Sequence, residues 1–309
     1  MNDKVSIITV NYNGFKDTYE MAESLEKHED FPYELIIVDN ASTEREDLLL
    51  KEKLPFAKII RSDINLGFAG GNNLGVKEAT GNYLFFINND TIVNQPILKT
   101  LIAPLQNNPQ IGCVSPKTTF YPDTNILQYA GATPMSRITL RNKFIGYKEL
   151  DCENFNLPQI TAFANGAAMV VRTADIEKFG LMREFYFLYY EELDWCVRMQ
   201  KAGFSIWYEP RATVGHKESV SVGYQSPLQV YYHTRNRYIF ARETIDKPWE
   251  RLAALFYLQF IAVPKRLVEF LLKRKFNLLK PLISAYFDMN DSYQNKVYTV
   301  YSSKNRKSH

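Results

Sequence analysis

Cysteine is scarce. Cys113, Cys152 and Cys196 are the only three among 309 residues, and an odd number at wide spacing excludes both a disulfide framework and a zinc cluster. A reduced, cytoplasmic setting is the expectation. Long apolar runs are missing too. The longest spans residues 252–263, is interrupted by Gln259 and closes on Pro264-Lys265-Arg266, well short of the roughly 20 residues needed to cross a bilayer. The first strand-like run has neither a basic lead nor a long apolar core, so no signal peptide is expected. Histidine is rare, internal repeats are absent, and the formal net charge is only +3. With 46% apolar and 23% charged residues, a disordered chain is excluded.

Aromatic residues are plentiful, with 20 Tyr and 20 Phe, which points to a large core or a buried interface. Charge is unevenly spread. Residues 228–309 carry 15 Lys/Arg against 6 Asp/Glu, a net of +9, and residues 1–227 carry a net of −6. An acidic body with a basic C-terminal part is the asymmetry expected of a protein that meets a membrane surface or a polyanion.

Four short apolar runs, at residues 5–10, 35–38, 57–60 and 83–87, alternate with stretches of helical period at 15–27 and 71–79. That order predicts an α/β fold with a mostly parallel sheet and right-handed crossovers. Such sheets take ligands at the carboxyl ends of their strands, where Asn11, Asp39-Asn40 and Asn88-Asn89-Asp90 fall. Strands are also expected at 161–171 and 205–208, and a helix that begins within 185–202 and ends at Gly203. Amphipathic helices are expected over 230–245, over 249–273 with a kink at Pro264, and near 276–289, followed by a polar tail. The expected division is a body over 1–227, in two halves at 1–93 and 94–227, with a basic helical region over 228–309.

Each motif has a chemical and an ordinary reading. Asp39 at a strand end can accept hydrogen bonds from a base or ribose, or cap the next helix. The loop from Asn65 through Gly67 and Gly70-Gly71 to Asn73 enters a helix, where glycines let backbone N–H groups approach a phosphate; a tight packing turn explains the same composition. It matches neither the phosphate loop nor the dinucleotide fingerprint. Asn88 and Asp90 are hard oxygen donors suited to Mg²⁺ or Mn²⁺ shared with a substrate phosphate, or a polar turn after a strand. Glu191, Glu192 and Asp194 stand at a helix start, where the dipole favours carboxylates. Asp194 and Arg198, four apart, are expected to pair. Neighbouring carboxylates raise one another's pKa, a useful property in a general base. His216 can complete a metal site with Asp90 or be an ordinary polar residue.

In order along one chain stand Thr9-Val10-Asn11, Val38-Asp39-Asn40, the Asn65–Asn73 loop, Asn88-Asn89-Asp90, Gly166-Ala167-Ala168, Glu191-Glu192-Leu193-Asp194 and His216. This ensemble resembles the inverting family 2 glycosyltransferases, rhamnosyltransferase-like branch, over roughly residues 4–245. The resemblance implies a GT-A fold: a Rossmann-like nucleotide-binding half fused to an acceptor half around one mixed sheet. It implies that Thr9, Asn11 and Asp39 hold base and ribose, and that Asn65, Gly67, Gly71 and Asn89 line the donor site. Asn88 and Asp90 take the place of the metal motif, with Asn88 where the first Asp usually stands, and His216 is the late metal ligand. Glu192 takes the place of the catalytic base, with Glu191 beside it. Arg235 and Arg237, in a segment similar to one in the same branch, are candidates for phosphate or acceptor contacts; pairing with the acidic body is the other reading.

The expected function is therefore transfer of a sugar from dTDP-rhamnose or a UDP-sugar to a hydroxyl of a glycan or lipid-linked acceptor in cell-surface polysaccharide synthesis, with Mg²⁺ or Mn²⁺. The expected partners include an anionic membrane surface, at the inner face of the cell membrane, and a second copy of the chain as a homodimer. Nucleic acid is not expected, because the basic residues interleave with an apolar face rather than with a stacking platform. Two other readings stand beside this one: an inactive nucleotide-sugar- or membrane-binding module, and a sugar-1-phosphate nucleotidyltransferase. The last should carry an N-terminal Gly-rich loop with Arg and Lys, which Val10-Asn11-Tyr12-Asn13-Gly14 lacks.

Overall fold

The computed structural model of the chain describes residues 3–217 and 226–289. The polar tail expected after about residue 294 lies outside the described residues. The chain divides into two units, one drawn from residues 1–135, 141–182 and 192–221, the other from 136–140, 183–191 and 222–309.

The first unit opens with β1 (Val5–Asn11), α1 (Phe15–His28), β2 (Tyr33–Asn40), α2 (Glu46–Lys53), β3 (Lys58–Ser62), α3 (Gly67–Val76) and β4 (Tyr83–Ile87). It continues with β5 (Thr91–Ile92), α4 (Leu98–Asn107), β6 (Ile111–Phe120), β7 (Leu127–Tyr129), β8 (Gln159–Thr161) and β9 (Ala168–Arg172). The short α5 (Ile176–Phe179), α6 (Glu191–Lys201) and β10 (Ser205–His216) follow; Glu191, the first residue of α6, falls in the second unit. Ten strands form one mixed sheet in the order β3-β2-β1-β4-β9-β6-β10-β5, with β7 on β6 and β8 on β10. The first four pair in parallel, and β9 enters antiparallel between β4 and β6. β1 is buried almost throughout because both its faces are covered. Val5 and Ile7 join the cluster with Met21, Ala22 and Leu25 of α1. Ile8 points the other way, into the cluster holding Met169 and Trp195.

α3 begins at Gly67, four residues before the expected start at 71. Its glycine content suppresses local helix propensity, and close packing on β1 overrides that preference. A Cβ on Gly71 would stand 2.8 Å from Val10 Cγ2, and one on Gly75 2.5 Å from Ile8 Cγ2. Two glycines four apart thus let one helix face lie directly on the strand. The strand expected over 161–171 is instead two strands, β8 and β9, separated by a turn at Asn165. There the side-chain oxygen accepts from the Ala167 N–H at 3.1 Å and the carbonyl accepts from the Ala168 N–H at 3.1 Å. β10 runs eight residues beyond the expected 205–208, past a register shift between Glu209 and Thr213, and its last residue is His216.

The second unit contains α7 (Pro227–Thr244), α8 (Pro248–Tyr257), a π turn (Leu258–Ala262), α9 (Val263–Leu272) and α10 (Leu279–Asp288). Ser226 caps α7 by accepting from the Gln229 N–H at 3.1 Å, with Pro227 at the first helical position. The amphipathic pattern expected for α7 is not what the structure holds. From Val230 to Ala241 every residue except His233 and Arg237 is buried, so α7 is the central helix of this unit. The expected break at Pro264 becomes the π turn just before it. Pro264 then occupies one of the first two positions of α9, where a missing N–H costs least.

Candidate active site

The ends of β1, β2 and β4 lie side by side in the sheet, and one hydrogen-bonded chain joins them. Asn89, just past β4, donates from Nδ2 to Thr18 Oγ1 at 2.9 Å. Thr18 donates to Asn11 Oδ1 at 2.7 Å, and Asn11 Nδ2 donates to Asp39 Oδ1 at 3.0 Å. The second Asp39 oxygen accepts from the Arg61 guanidinium. Asn11 Nδ2 also reaches Ser42 Oγ at 3.2 Å and Glu46 Oε2 at 2.8 Å. Asn11 and Asp39 are fully buried, and a buried polar group costs free energy unless it is hydrogen-bonded in this way. Thr9 is buried one turn of the pleat earlier, and its Oγ1 has no hydrogen-bond partner among the described residues. Thr18 and Arg61 were not singled out from sequence; a threonine facing inward from the first turns of α1 carries no motif.

Asn65 shapes the entrance to α3. Its Oδ1 accepts from the Gly67 N–H at 2.8 Å and from Asn40 Nδ2 at 3.1 Å. Gly67 adopts φ +72°, which a side-chain-bearing residue rarely takes. Gly71 faces Val10, so its lack of a side chain serves helix–strand contact.

At the end of β4 the chain turns, with Thr91 Oγ1 donating to the Asn88 carbonyl at 2.7 Å. β10 arrives beside that turn because its last residues pair with β5, His216 opposite Thr91. His216 Nε2 then lies 3.0 Å from Asp90 Oδ1 and 3.4 Å from Asn88 Nδ2. The other ring nitrogen, Nδ1, lies 2.6 Å from Gln128 Oε1 on β7. An amide oxygen only accepts, so Nδ1 donates to Gln128, which leaves Nε2 facing the Asp90 carboxylate. An imidazole nitrogen and a carboxylate oxygen 3.0 Å apart are both donor types that divalent cations take. The residues present therefore fit a divalent cation. Among the described residues no group of three His, Cys, Asp or Glu side chains comes together as a metal site. Asp90 and His216 supply two protein donors, and a cation held there would complete its shell from water and substrate oxygens. Gln128 carries no sequence signal, since it sits 88 residues from His216 on a three-residue strand.

The start of β9 adjoins the same turn, with the Asn88 N–H donating to the Ala167 carbonyl at 2.9 Å. Glu192 lies over Gly166, its Cγ 3.4 Å from where a Cβ on that glycine would stand. Gly166 thus leaves room for a carboxylate-bearing side chain beside the turn that follows β4. Asp194 is buried and pairs with Arg198 at 2.8 Å, as the spacing predicts, and Arg198 further donates to the carbonyls of Phe179 and Leu181.

Glu191 is buried and belongs to the second unit. In that unit Arg235 is only 3% exposed and donates to the Phe185 carbonyl at 3.0 Å and to Asn236 Oδ1 at 2.8 Å. Arg237 donates to the Thr139 carbonyl. Arg235 thus binds a backbone and an amide oxygen, and Arg237 a backbone oxygen.

Comparison with known proteins decides the family. The profile described as Glycosyl transferase family 2 matches residues 6–173. The chain belongs to that family. Among curated relatives, the low-salt glycan biosynthesis hexosyltransferase Agl10 of Haloferax volcanii is 24% identical over 294 residues, covering 92% of this chain and 90% of its own. The N-acetylglucosaminyl-diphospho-decaprenol L-rhamnosyltransferase of Mycobacterium tuberculosis is 21% identical over 271 residues, covering 81% and 87%. Among solved structures, the mannosyltransferase PcManGT of Pyrobaculum calidifontis, in complex with GDP-Man and Mn²⁺, aligns with TM-score 0.57 at 14% identity over 94% of this chain and 87% of its own. Residues 1–349 of S. aureus TarS, in complex with UDP-GlcNAc, align with TM-score 0.55 at 21% identity over 93% and 80%. The fold is thus the GT-A fold, and this member of glycosyl transferase family 2 is a glycosyltransferase enzyme.

Proposed function

We propose that this family 2 glycosyltransferase moves a sugar, rhamnose from dTDP-rhamnose or a sugar from a UDP donor, to a hydroxyl of a glycan or lipid-linked acceptor during cell-surface polysaccharide assembly. The reaction inverts the anomeric carbon. The observation that carries the reading is the facing of Asp90 Oδ1 and His216 Nε2 at 3.0 Å, beside the glycine over which Glu192 lies.

On this reading, the base and ribose of the donor lie against Thr9, Asn11 and Asp39, with the hydrogen bonds to Asn11 and Arg61 holding the Asp39 carboxylate still. The backbone N–H groups opening α3 after Gly67 face the diphosphate, where a helix N-terminus favours negative charge, and Asn65 and Asn89 line the same site. Asp90 and His216, with Asn88 beside them, would hold Mg²⁺ or Mn²⁺, which would supply positive charge against the departing diphosphate. Glu192 accepts the proton of the acceptor hydroxyl. That oxygen bonds to the anomeric carbon from the face opposite the diphosphate. The carbon–oxygen bond to the diphosphate breaks, and its electron pair leaves with the nucleotide.

The test is thermal stability with UDP, dTDP, GDP and ADP, each with and without Mn²⁺, followed by assay of diphosphate release. A ligand at about 100 times its dissociation constant adds roughly 2.7 kcal/mol. One pyrimidine diphosphate should stabilise the protein, and more strongly with the metal. Glu192→Gln should bind it equally well while turnover falls by roughly 10²–10⁴-fold, the usual worth of a general base. Turnover equal to the native protein's would remove Glu192 from that role. Binding without release from any donor would favour the inactive-module reading.

A further inference from the structure

We infer that the helices of the second unit form a surface that lies flat in the headgroup region of an anionic lipid bilayer. α8, the π turn and α9 run on without a break over residues 248–272, a rod of about 37 Å at the standard rise. Along it Trp249, Leu252, Phe256, Phe260, Val268 and Leu272 are exposed, between 52% and 80%. Their spacings of 3, 4, 4, 8 and 4 keep them on one stripe. The rings of Phe256 and Phe260 touch, with centroids 4.9 Å apart, so the stripe continues across the π turn. The packing of the unit does not use these side chains. Its core is built from the opposite side, where Phe270 joins Val230, Leu278 and Leu282. An apolar stripe of this length, left to water on a folded unit, marks a surface made for another phase or partner.

Charge chooses the occupant. Residues 247–287 contain eight Lys/Arg and two Asp/Glu. Both acids are already paired, Glu250 with Arg137 at 2.8 Å and Glu269 with Lys273 at 2.7 Å. The excess is positive, with Lys265 and the run Lys273-Arg274-Lys275 beside the apolar stripe. A second copy docked across a two-fold axis would set this excess against itself. An anionic bilayer takes the aromatic and aliphatic side chains into its acyl boundary and the cations among its headgroups. Among the described residues no helix is long and apolar enough to cross a membrane, so the surface lies on the bilayer. The inference does not depend on the transferase reading, because binding is read without donor or acceptor.

The experiment is co-sedimentation of the full chain with vesicles of phosphatidylcholine alone and of phosphatidylcholine with phosphatidylglycerol, at low and high salt. Binding should require the anionic lipid and weaken with salt. Phe256→Glu with Phe260→Glu should weaken it by at least about tenfold, since two buried aromatic side chains are lost from the acyl boundary, with the circular dichroism melt unchanged. Lys273→Glu with Lys275→Glu, which leaves every apolar residue in place, should also weaken binding and flatten its salt dependence. Failure to bind anionic vesicles overturns the inference, as does equal binding to neutral ones. So does a dimer in solution that the Phe256→Glu, Phe260→Glu protein converts to monomer, because the stripe is then an interface between copies.

Discussion

Asn236 should be the most sensitive single residue of the second unit. It is fully buried on α7, and its one side-chain amide nitrogen donates to the carbonyls of Tyr186, Leu188 and Tyr189 at 2.8, 2.8 and 2.9 Å. The segment it holds contains three aromatic residues with positive φ, Phe187 at 66°, Tyr189 at 68° and Tyr190 at 78°. Each such residue costs roughly 1–3 kcal/mol and persists only where its surroundings impose it. Glu191 and Glu192 follow directly in sequence. Asn236→Ala removes the donor and leaves buried carbonyls unsatisfied, at about 1–3 kcal/mol. Asn236→Asp is nearly isosteric but turns the donor into an acceptor aimed at three carbonyl oxygens. It should therefore cost more than the alanine variant, about 3 kcal/mol or above. Urea denaturation of the three proteins measures the order. Because the released segment leads into Glu192, turnover of the alanine variant should fall while nucleotide affinity stays near the native value, since the proposed nucleotide site lies at the strand ends of the first unit. An aspartate variant as stable and as active as the native protein would refute the reasoning, since it would mean the amide does not hold the segment.

Other outcomes follow from single contacts. Burial, with Arg266 and Arg237 nearby, lowers the pKa of His233 from 6.5 to about 4, and its ring stacks on Tyr189 with centroids 4.2 Å apart. Between those values the unfolded chain takes up a proton that the folded one refuses. Stability is thus full above pH 6.5 and declines toward pH 4 by about 3 kcal/mol; His233→Phe should flatten that part of a melt-against-pH curve. Gln128→Leu removes the acceptor that sets the His216 tautomer and should weaken Mn²⁺ binding, read by electron paramagnetic resonance, by about 10–100-fold, as loss of an outer-shell partner does. Gly75→Ala gains about 1 kcal/mol of helix propensity but drives a methyl to 2.5 Å from Ile8 Cγ2. The overpacking cost of about 1–3 kcal/mol should win, and a lowered melting temperature would register it.

The parallel strands β1, β2 and β4 were legible because strands buried on both faces must be apolar, and short apolar runs ending in Asn or Asp stand out against polar helices. α3 was less legible. Its glycines argue against a helix locally, and only contact with Val10 and Ile8 shows why they are there. The strand expected over 161–171 broke at Asn165, whose side chain satisfies the backbone of a turn that periodicity alone cannot register. α7 looked amphipathic, but from Val230 to Ala241 nearly every residue is buried.

By itself the sequence determined the family, the α/β class and which polar side chains stand at the strand ends, because these depend on residue types in a fixed order. It also determined the positive excess of the C-terminal part. Tertiary structure alone decided how His216 meets Asp90, through an extension of β10 that pairs with β5. It alone set Gln128 on the imidazole, Thr18 between Asn89 and Asn11, and Glu192 over Gly166. Those contacts join residues up to 126 positions apart. Such pairings are set by strand order and register, which depend on how whole elements bury their faces, and no local pattern of residues records them.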